Sequence, residues 1–163
     1  MKEEFIKSFN DLILSKKGIG SLDIHDIRIG NIVRLKDHFV GGNAMVTGIM
    51  KDRITAVNSV GTNIDTINIM YVEPIPITDE LLLKNGFKKF RDGYLHYSDH
   101  NDEFSVKFDL GYAFIEYANL CFNPEDVTET NYGSSLEFPN TLHLHTLQNI
   151  YHLLTGKELE IKL

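Results

Sequence analysis

The sequence predicts an α+β protein, with an SH3-like small β-barrel followed by an antiparallel sheet that carries a short helix and a C-terminal helix. Apolar and polar residues alternate at several places within residues 27–71, which is the period of half-buried strands. An Asp-Gly pair at residues 92–93 stands between two predicted strands, residues 87–91 and 94–97, a strong hairpin signal. Apolar residues then recur at helical spacing near the C-terminus, at Leu147, Ile150, Tyr151 and Leu154.

The first residues predict a helical extension. Apolar side chains in residues 3–17 fall on one helical face, and Gly18 follows two lysines, the pattern of a helix end. We therefore divide the chain into an N-terminal helical extension (1–22), an SH3-like small barrel (23–77) and an α+β C-terminal region (78–163).

The barrel segment is predicted to contain four short strands, at residues 27–35, 44–50, 53–58 and 66–71. They are short, start 9 to 17 residues apart and are separated by turn signals, which is typical of small, bent antiparallel barrels. Two prolines follow within residues 74–78. Because proline cannot donate to a ladder, they indicate an edge strand or an extended exit from the sheet.

The C-terminal region begins with a predicted N-cap at Thr78 and a short helix at residues 81–85 that Gly86 ends. Alternating patterns predict strands at residues 87–91, 94–97, 104–108, 112–117 and 120–122. Residues 123–139 are polar and contain two prolines, so they predict a long loop. After the C-terminal helix, which Gly156 caps, residues 159–163 alternate and predict a last strand.

Composition restricts the function. The net charge is −7, from 23 acidic and 16 basic residues, which disfavours non-specific binding to nucleic acid or an anionic membrane. No run approaches the ~18 apolar residues of a membrane span, and the N-terminus lacks the pattern of a signal peptide. We expect a cytoplasmic protein without a membrane partner.

Candidate catalytic and metal-binding residues are few. Cys121 lies in an apolar run, which is typical of a buried small hydrophobe. His143 and His145 would share one side of a strand but diverge on a helix. Neither arrangement supplies the three or four ligands that zinc requires. We expect no metal, no cofactor and no assignable catalytic residue.

The strand aromatics form the remaining candidate site. Tyr112, Phe114 and Tyr117 lie in one predicted strand, whose parity cannot direct all of them to one face. Part of this sheet is therefore predicted to present an aromatic surface that contacts helices, a second subunit or a partner. We take Tyr112, Phe114 and Tyr117 as the candidate interaction surface.

Three signatures carry a resemblance: IRIGN at residues 27–31, PIPIT at residues 74–78 and LQNIYHLLTGKEL at residues 147–159. Together they resemble a family of small uncharacterised proteins of anaerobic gut bacteria, their prophages and related phages. The likeness extends over about residues 24–163. The resemblance implies a phage or mobile-element context, and it carries no catalytic residue because the family has no assigned activity.

The sequence thus favours a non-enzymatic binding protein encoded by a phage or mobile element, either a virion-associated component or an inhibitor of a host factor. Its expected partner is a protein, with a homo-oligomer also open. One alternative is a small hydrolase that uses Cys121, His143 or His145. The other is a nucleic-acid-binding barrel, which the acidic charge disfavours.

Overall fold

The computed structural model describes residues 22–36, 42–90, 93–99, 102–109, 112–119, 133–139 and 142–162. Within these ranges the strands form two antiparallel sheets of five strands each, accompanied by two α-helices. The predicted α+β class, with a short helix and a C-terminal helix, is confirmed. The predicted helical extension and the predicted strand at residues 120–122 lie outside the described residues.

The first sheet contains β1 (Ile32–Leu35), β2 (Gly42–Met50), β3 (Arg53–Asn58), β4 (Asn63–Asn68) and β5 (Val72–Glu73). Its strand order is β4-β3-β2-β1-β5. The inner face is fully buried at its centre, where Val33, Val46, Ile54 and Ile67 are 0% exposed. β4 and β5 are the two ends of the order, and the described residues contain no pairing that closes them into a barrel.

Two strand positions in this sheet differ from the prediction. The first strand begins at Ile32, because Ile24–Asp26 form a 3₁₀ turn and a further turn follows before the strand. The fourth strand was predicted at residues 66–71 but ends at Asn68, and Ile69–Tyr71 form another 3₁₀ turn. Asn68 causes this ending, because its side chain accepts a hydrogen bond from the Met70 N–H and caps the turn.

The second sheet contains β6 (Lys88–Phe90), β7 (Gly93–Asp99), β8 (Asp102–Asp109), β9 (Tyr112–Asn119) and β10 (Gly133–Pro139). The strands pair in the order β10-β9-β8-β7-β6, so each pairs with its neighbour in sequence. β6 and β7 form the predicted hairpin, but Gly93 pairs with Phe90 and is the first residue of β7, not part of the predicted Asp-Gly turn.

The prediction of an unbroken loop at residues 123–139 was wrong, because β10 occupies its last seven residues. Leu136 and Phe138 alternate with exposed residues and lie in the core, which is the period of a half-buried strand, and β10 lies at one edge of the sheet. The predicted strand at the C-terminus was also wrong. Residues 158–162 form no ladder, although Leu159 is buried and Ile161 packs against the core.

The helices are α1 (Asp79–Lys84) and α2 (Leu144–Thr155). Their predicted caps are confirmed. The Thr78 side chain accepts a hydrogen bond from the Leu81 N–H, and Gly156 ends α2 with a left-handed φ of 73°. Leu147, Ile150 and Tyr151 of α2 are buried against the inner face of the second sheet, so this helix closes that core.

Candidate functional site

The first candidate region is the place where α2 meets the turn before β1, and Gln148 forms its centre. The Gln148 side chain is 3% exposed. Its Oε1 accepts a hydrogen bond from the Ile32 N–H at 2.9 Å, and its Nε2 donates to the Gly30 carbonyl at 3.3 Å. The Gln148 amide thus bonds to β1 where a neighbouring strand would otherwise bond. It links β1 to α2, most of whose buried apolar residues belong to the core of the second sheet.

Asn149 extends this contact along the same turn. Its Nδ2 donates to the Asp26 carbonyl at 2.9 Å, and its Oδ1 accepts from Asn31 Nδ2 at 2.9 Å and Arg28 Nε at 3.3 Å. Asn31 is 0% exposed, and its own Oδ1 accepts from the Arg28 N–H at 2.8 Å. These buried polar atoms therefore satisfy one another, as burial of amides requires.

An ion pair closes the outside of this region. Arg28 donates two hydrogen bonds to the Glu158 carboxylate, at 2.6 and 2.7 Å. The hydrogen bond from Arg28 lowers the pKa of Glu158, and the same bond raises the pKa of Arg28. His152 Nδ1 lies 3.1 Å from the same carboxylate. Because both Arg28 and Glu158 are partly exposed, water screens the pair and its contribution to stability is small.

The PIPIT segment meets the residues before α2. Pro76 and His143 form an isolated antiparallel bridge, and the Leu144 N–H donates to the Ile75 carbonyl at 2.9 Å. Ile32, Ile75 and Leu144 form a small buried cluster beside this bridge. All three signatures thus meet in one region, which we call the junction: residues 26–32, 75–77, 142–149 and 158.

The contacts at the junction give the three signatures a structural role. Within the junction, the polar side chains of Asn31, Gln148 and Asn149 direct their hydrogen bonds to one another, to backbone groups or to the Arg28 side chain. A catalytic group, by contrast, needs an unengaged atom beside a space that a substrate can enter. The arrangement can fix the two sheets relative to each other.

The two histidines lie at the start of α2. The His143 and His145 rings stack with centroids 5.8 Å apart and planes 14° apart. Burial lowers the pKa of His145 to about 3, with a further contribution from nearby His143, and burial also lowers the pKa of His143. Both are therefore neutral imidazoles at neutral pH.

Access and partners limit what His145 can do. Its Nε2 lies 3.2 Å from the Thr146 hydroxyl, while its Nδ1 is buried with no hydrogen-bond partner. The parts of the chain that the structure describes contain no group of three His, Cys, Asp or Glu residues that could hold a metal ion. Cys121 lies outside the described residues. Thr146 places a hydroxyl beside the His145 imidazole, but burial and the low pKa of His145 make this imidazole a poor general base.

The second candidate region is the outer face of the second sheet, and it separates the three predicted aromatics. Tyr112 is 46% exposed and Phe114 is partly exposed, both on the row that points away from the core. Tyr117 lies on the opposite row with Ala113 and Ile115, where it packs against the core. The structure thus brings Tyr112 and Phe114 together on one face and places Tyr117 on the other.

Charged residues surround this aromatic pair. In the strand register, Tyr112 lies opposite Asp109, and Phe114 lies between Lys107 and Glu137. Asp109 and Glu137 are exposed, as is Glu116, the next residue on the Tyr112 row. We call this surface the acidic aromatic face, defined by Glu103, Lys107, Asp109, Tyr112, Phe114, Glu116 and Glu137.

Neither described helix covers the acidic aromatic face. Both contribute buried residues to the core on the other side of the sheet, Leu82 from α1 and Leu147 from α2. The aromatic pair was a sequence prediction, whereas its acidic surroundings were not. These acidic residues follow the period-2 pattern of residues 102–109 and 133–139, so the sequence contained a signal for them. Only the pairing of β8 and β10 with β9 shows that they lie around the aromatic pair.

Comparisons with protein-family models, with curated proteins and with solved structures found no match for this chain. Within the described residues, no helix combines the length and the apolar character needed to cross a bilayer. The junction and the acidic aromatic face are therefore the two features of the described residues that bear on function.

Proposed function

We propose that this chain is a non-enzymatic protein-binding module whose contact surface is the acidic aromatic face. The observation that carries the proposal is the pair Tyr112 and Phe114, side by side on a sheet face that neither described helix covers. Tyrosine contributes strongly to binding when a partner buries it, since it adds a large apolar area and a polar end at low entropic cost.

The charge pattern favours a protein partner over a nucleic acid. Phosphate groups would meet the carboxylates of Asp109, Glu116 and Glu137, and such like-charge contacts are costly. The hydrolase alternative has less support, because His145 is buried and its pKa is far below neutrality. A general base functions best with a pKa near the working pH and within reach of the substrate.

The family resemblance supports a phage or mobile-element origin, with a role as a virion-associated component or as an inhibitor of a host factor in the host cytoplasm. We also propose that residues 23–77 form an SH3-like small barrel. The order β4-β3-β2-β1-β5, the bulge in β2 between Val46 and Gly48 and the 3₁₀ turn before β5 support this, because bulges bend a sheet toward closure.

Affinity capture from host lysate tests the proposal when Tyr112→Ala is compared with Met70→Ala. Met70 is 62% exposed in the 3₁₀ turn Ile69–Tyr71, so its variant removes a surface apolar group away from the acidic aromatic face. We expect a protein that wild type and Met70→Ala capture equally and that Tyr112→Ala does not. Equal capture by all three, or turnover of a substrate by a monomer that captures nothing, would contradict the proposal.

A further inference from the structure

The charges of the acidic aromatic face are unbalanced. On β8, β9 and β10 this face carries four carboxylates (Glu103, Asp109, Glu116 and Glu137) against one ammonium, Lys107. Lys107 is already engaged in an interaction of its own. The next cation on the face, Lys88, lies on β6 at the opposite edge of the sheet from β10. The aromatic pair is thus the centre of a locally negative surface.

Carboxylates lie on both sides of the exposed rings. Asp109 pairs with Tyr112 in the register, on the strand to one side, and Glu137 pairs with Phe114 on the strand to the other. Directly paired residues on one sheet face have Cβ atoms roughly 5 Å apart. A flat cation lying on a ring can therefore reach a carboxylate with its edge. An arginine guanidinium has this shape, since its face stacks on aromatic rings and its planar fork donates to carboxylates.

We propose that the partner binds through an arginine-bearing segment whose guanidinium lies on the Tyr112–Phe114 pair and donates to Asp109 or Glu137. This inference depends on the proposed function and specifies the partner's chemistry. A second copy of this chain is the wrong occupant, because pairing this face with itself would oppose four carboxylates to four. Such juxtaposed like charges oppose association.

The direct test is an NMR titration of the full-length, ¹⁵N-labelled chain with a short peptide in which arginine alternates with glycine. The control peptide has citrulline in place of arginine, which retains the shape and removes the charge. We expect amide shifts to move at residues 109, 112, 114 and 137 with the arginine peptide and not with the citrulline peptide. Raising NaCl from about 50 to about 500 mM should weaken the response, because salt screens exposed charges.

Two substitutions locate the binding. Tyr112→Ala and Glu137→Gln should each weaken binding of the arginine peptide about three- to tenfold. Glu80→Gln, at an exposed carboxylate of α1, should leave it unchanged. The inference would be overturned by equal amide shifts at Asp65, Glu80 and the acidic aromatic face. Equal binding of the citrulline peptide would also overturn it.

Affinity capture from lysate distinguishes a failure of the arginine inference from a failure of the proposed function. Loss of capture in Tyr112→Ala together with full capture in Glu137→Gln and at high salt would retain the protein-binding module and overturn the arginine inference. Capture that survives Tyr112→Ala would overturn both. A dimer that forms with increasing concentration and is lost in Tyr112→Ala, measured by sedimentation, would show a second copy on this face and overturn the arginine inference.

Discussion

The junction and the acidic aromatic face use polar and aromatic residues in opposite ways. At the junction, Asn31 and Gln148 are 0% and 3% exposed, and their side chains bond to other parts of the same chain. On the face, Tyr112 is 46% exposed on a row that neither described helix covers. The comparison teaches that the residues forming a recognisable motif here stabilise the fold, whereas the surface available to a partner carries no motif.

The largest effect is expected inside the core that α2 closes. Leu147 is 1% exposed and Leu153, on the same helix, is 37% exposed. Leu147→Ala should lower the free energy of unfolding by about 2–5 kcal/mol, because it leaves a cavity. Leu153→Ala is the matched control and should cost much less. Urea denaturation measures both, and equal midpoints for the two variants would show that α2 does not pack as described.

A smaller but substantial loss is expected for the polar side of the same helix. Gln148→Leu removes the acceptor of the Ile32 N–H and the donor to the Gly30 carbonyl. The Ile32 N–H is buried and loses its acceptor, at a cost of about 1–3 kcal/mol, whereas the Gly30 carbonyl is only partly buried and its loss costs less. An unchanged urea midpoint in Gln148→Leu would contradict the claim that this residue links α2 to β1.

The histidines give the junction a pH dependence. Below the ordinary pKa of 6.5 the unfolded chain takes up a proton at residue 145, whereas the folded chain resists protonation there down to a pKa of about 3. Folding is therefore favoured most above pH 6.5 and loses stability as the pH falls. Between pH 6.5 and pH 5 this residue alone should remove up to about 2 kcal/mol.

His145→Leu tests this dependence. The variant removes the titrating group together with a buried nitrogen that lacks a hydrogen-bond partner, so its stability at pH 7 should be close to that of wild type. Its free energy of unfolding should fall less steeply from pH 6.5 to pH 5. Parallel pH profiles for the two proteins would indicate that His145 is accessible to protons in the folded state.

The sequence was most informative where local rules decide the structure. Thr78 and Gly156 marked helix ends because capping depends on a few adjacent residues, and the Asp-Gly pair marked a hairpin for the same reason. Asn68 could have been identified as the cap of a 3₁₀ turn, but the alternation of its neighbours favoured a strand.

The rest depended on contacts between distant residues. Asn31 and Asn149 are 118 positions apart, and no local pattern shows that they bond. The face of Tyr112 likewise required strand pairing, because parity alone separates Tyr112 from Tyr117 without deciding which of them points outward. Leu136 and Phe138 had the correct period for β10, but their polar neighbours and two prolines favoured a loop.

The central claim is that the junction maintains the fold and that the acidic aromatic face binds a protein partner. The affinity of one captured protein for Gln148→Leu and for Tyr112→Ala tests it most directly, at a low temperature where circular dichroism shows both variants folded. We expect Gln148→Leu to bind as wild type does, although it unfolds at lower urea. Tyr112→Ala should unfold as wild type does, within about 0.5 kcal/mol, and bind at least about tenfold more weakly. The reverse result, with binding lost in folded Gln148→Leu and retained in Tyr112→Ala, would place the functional site at the junction and contradict this account.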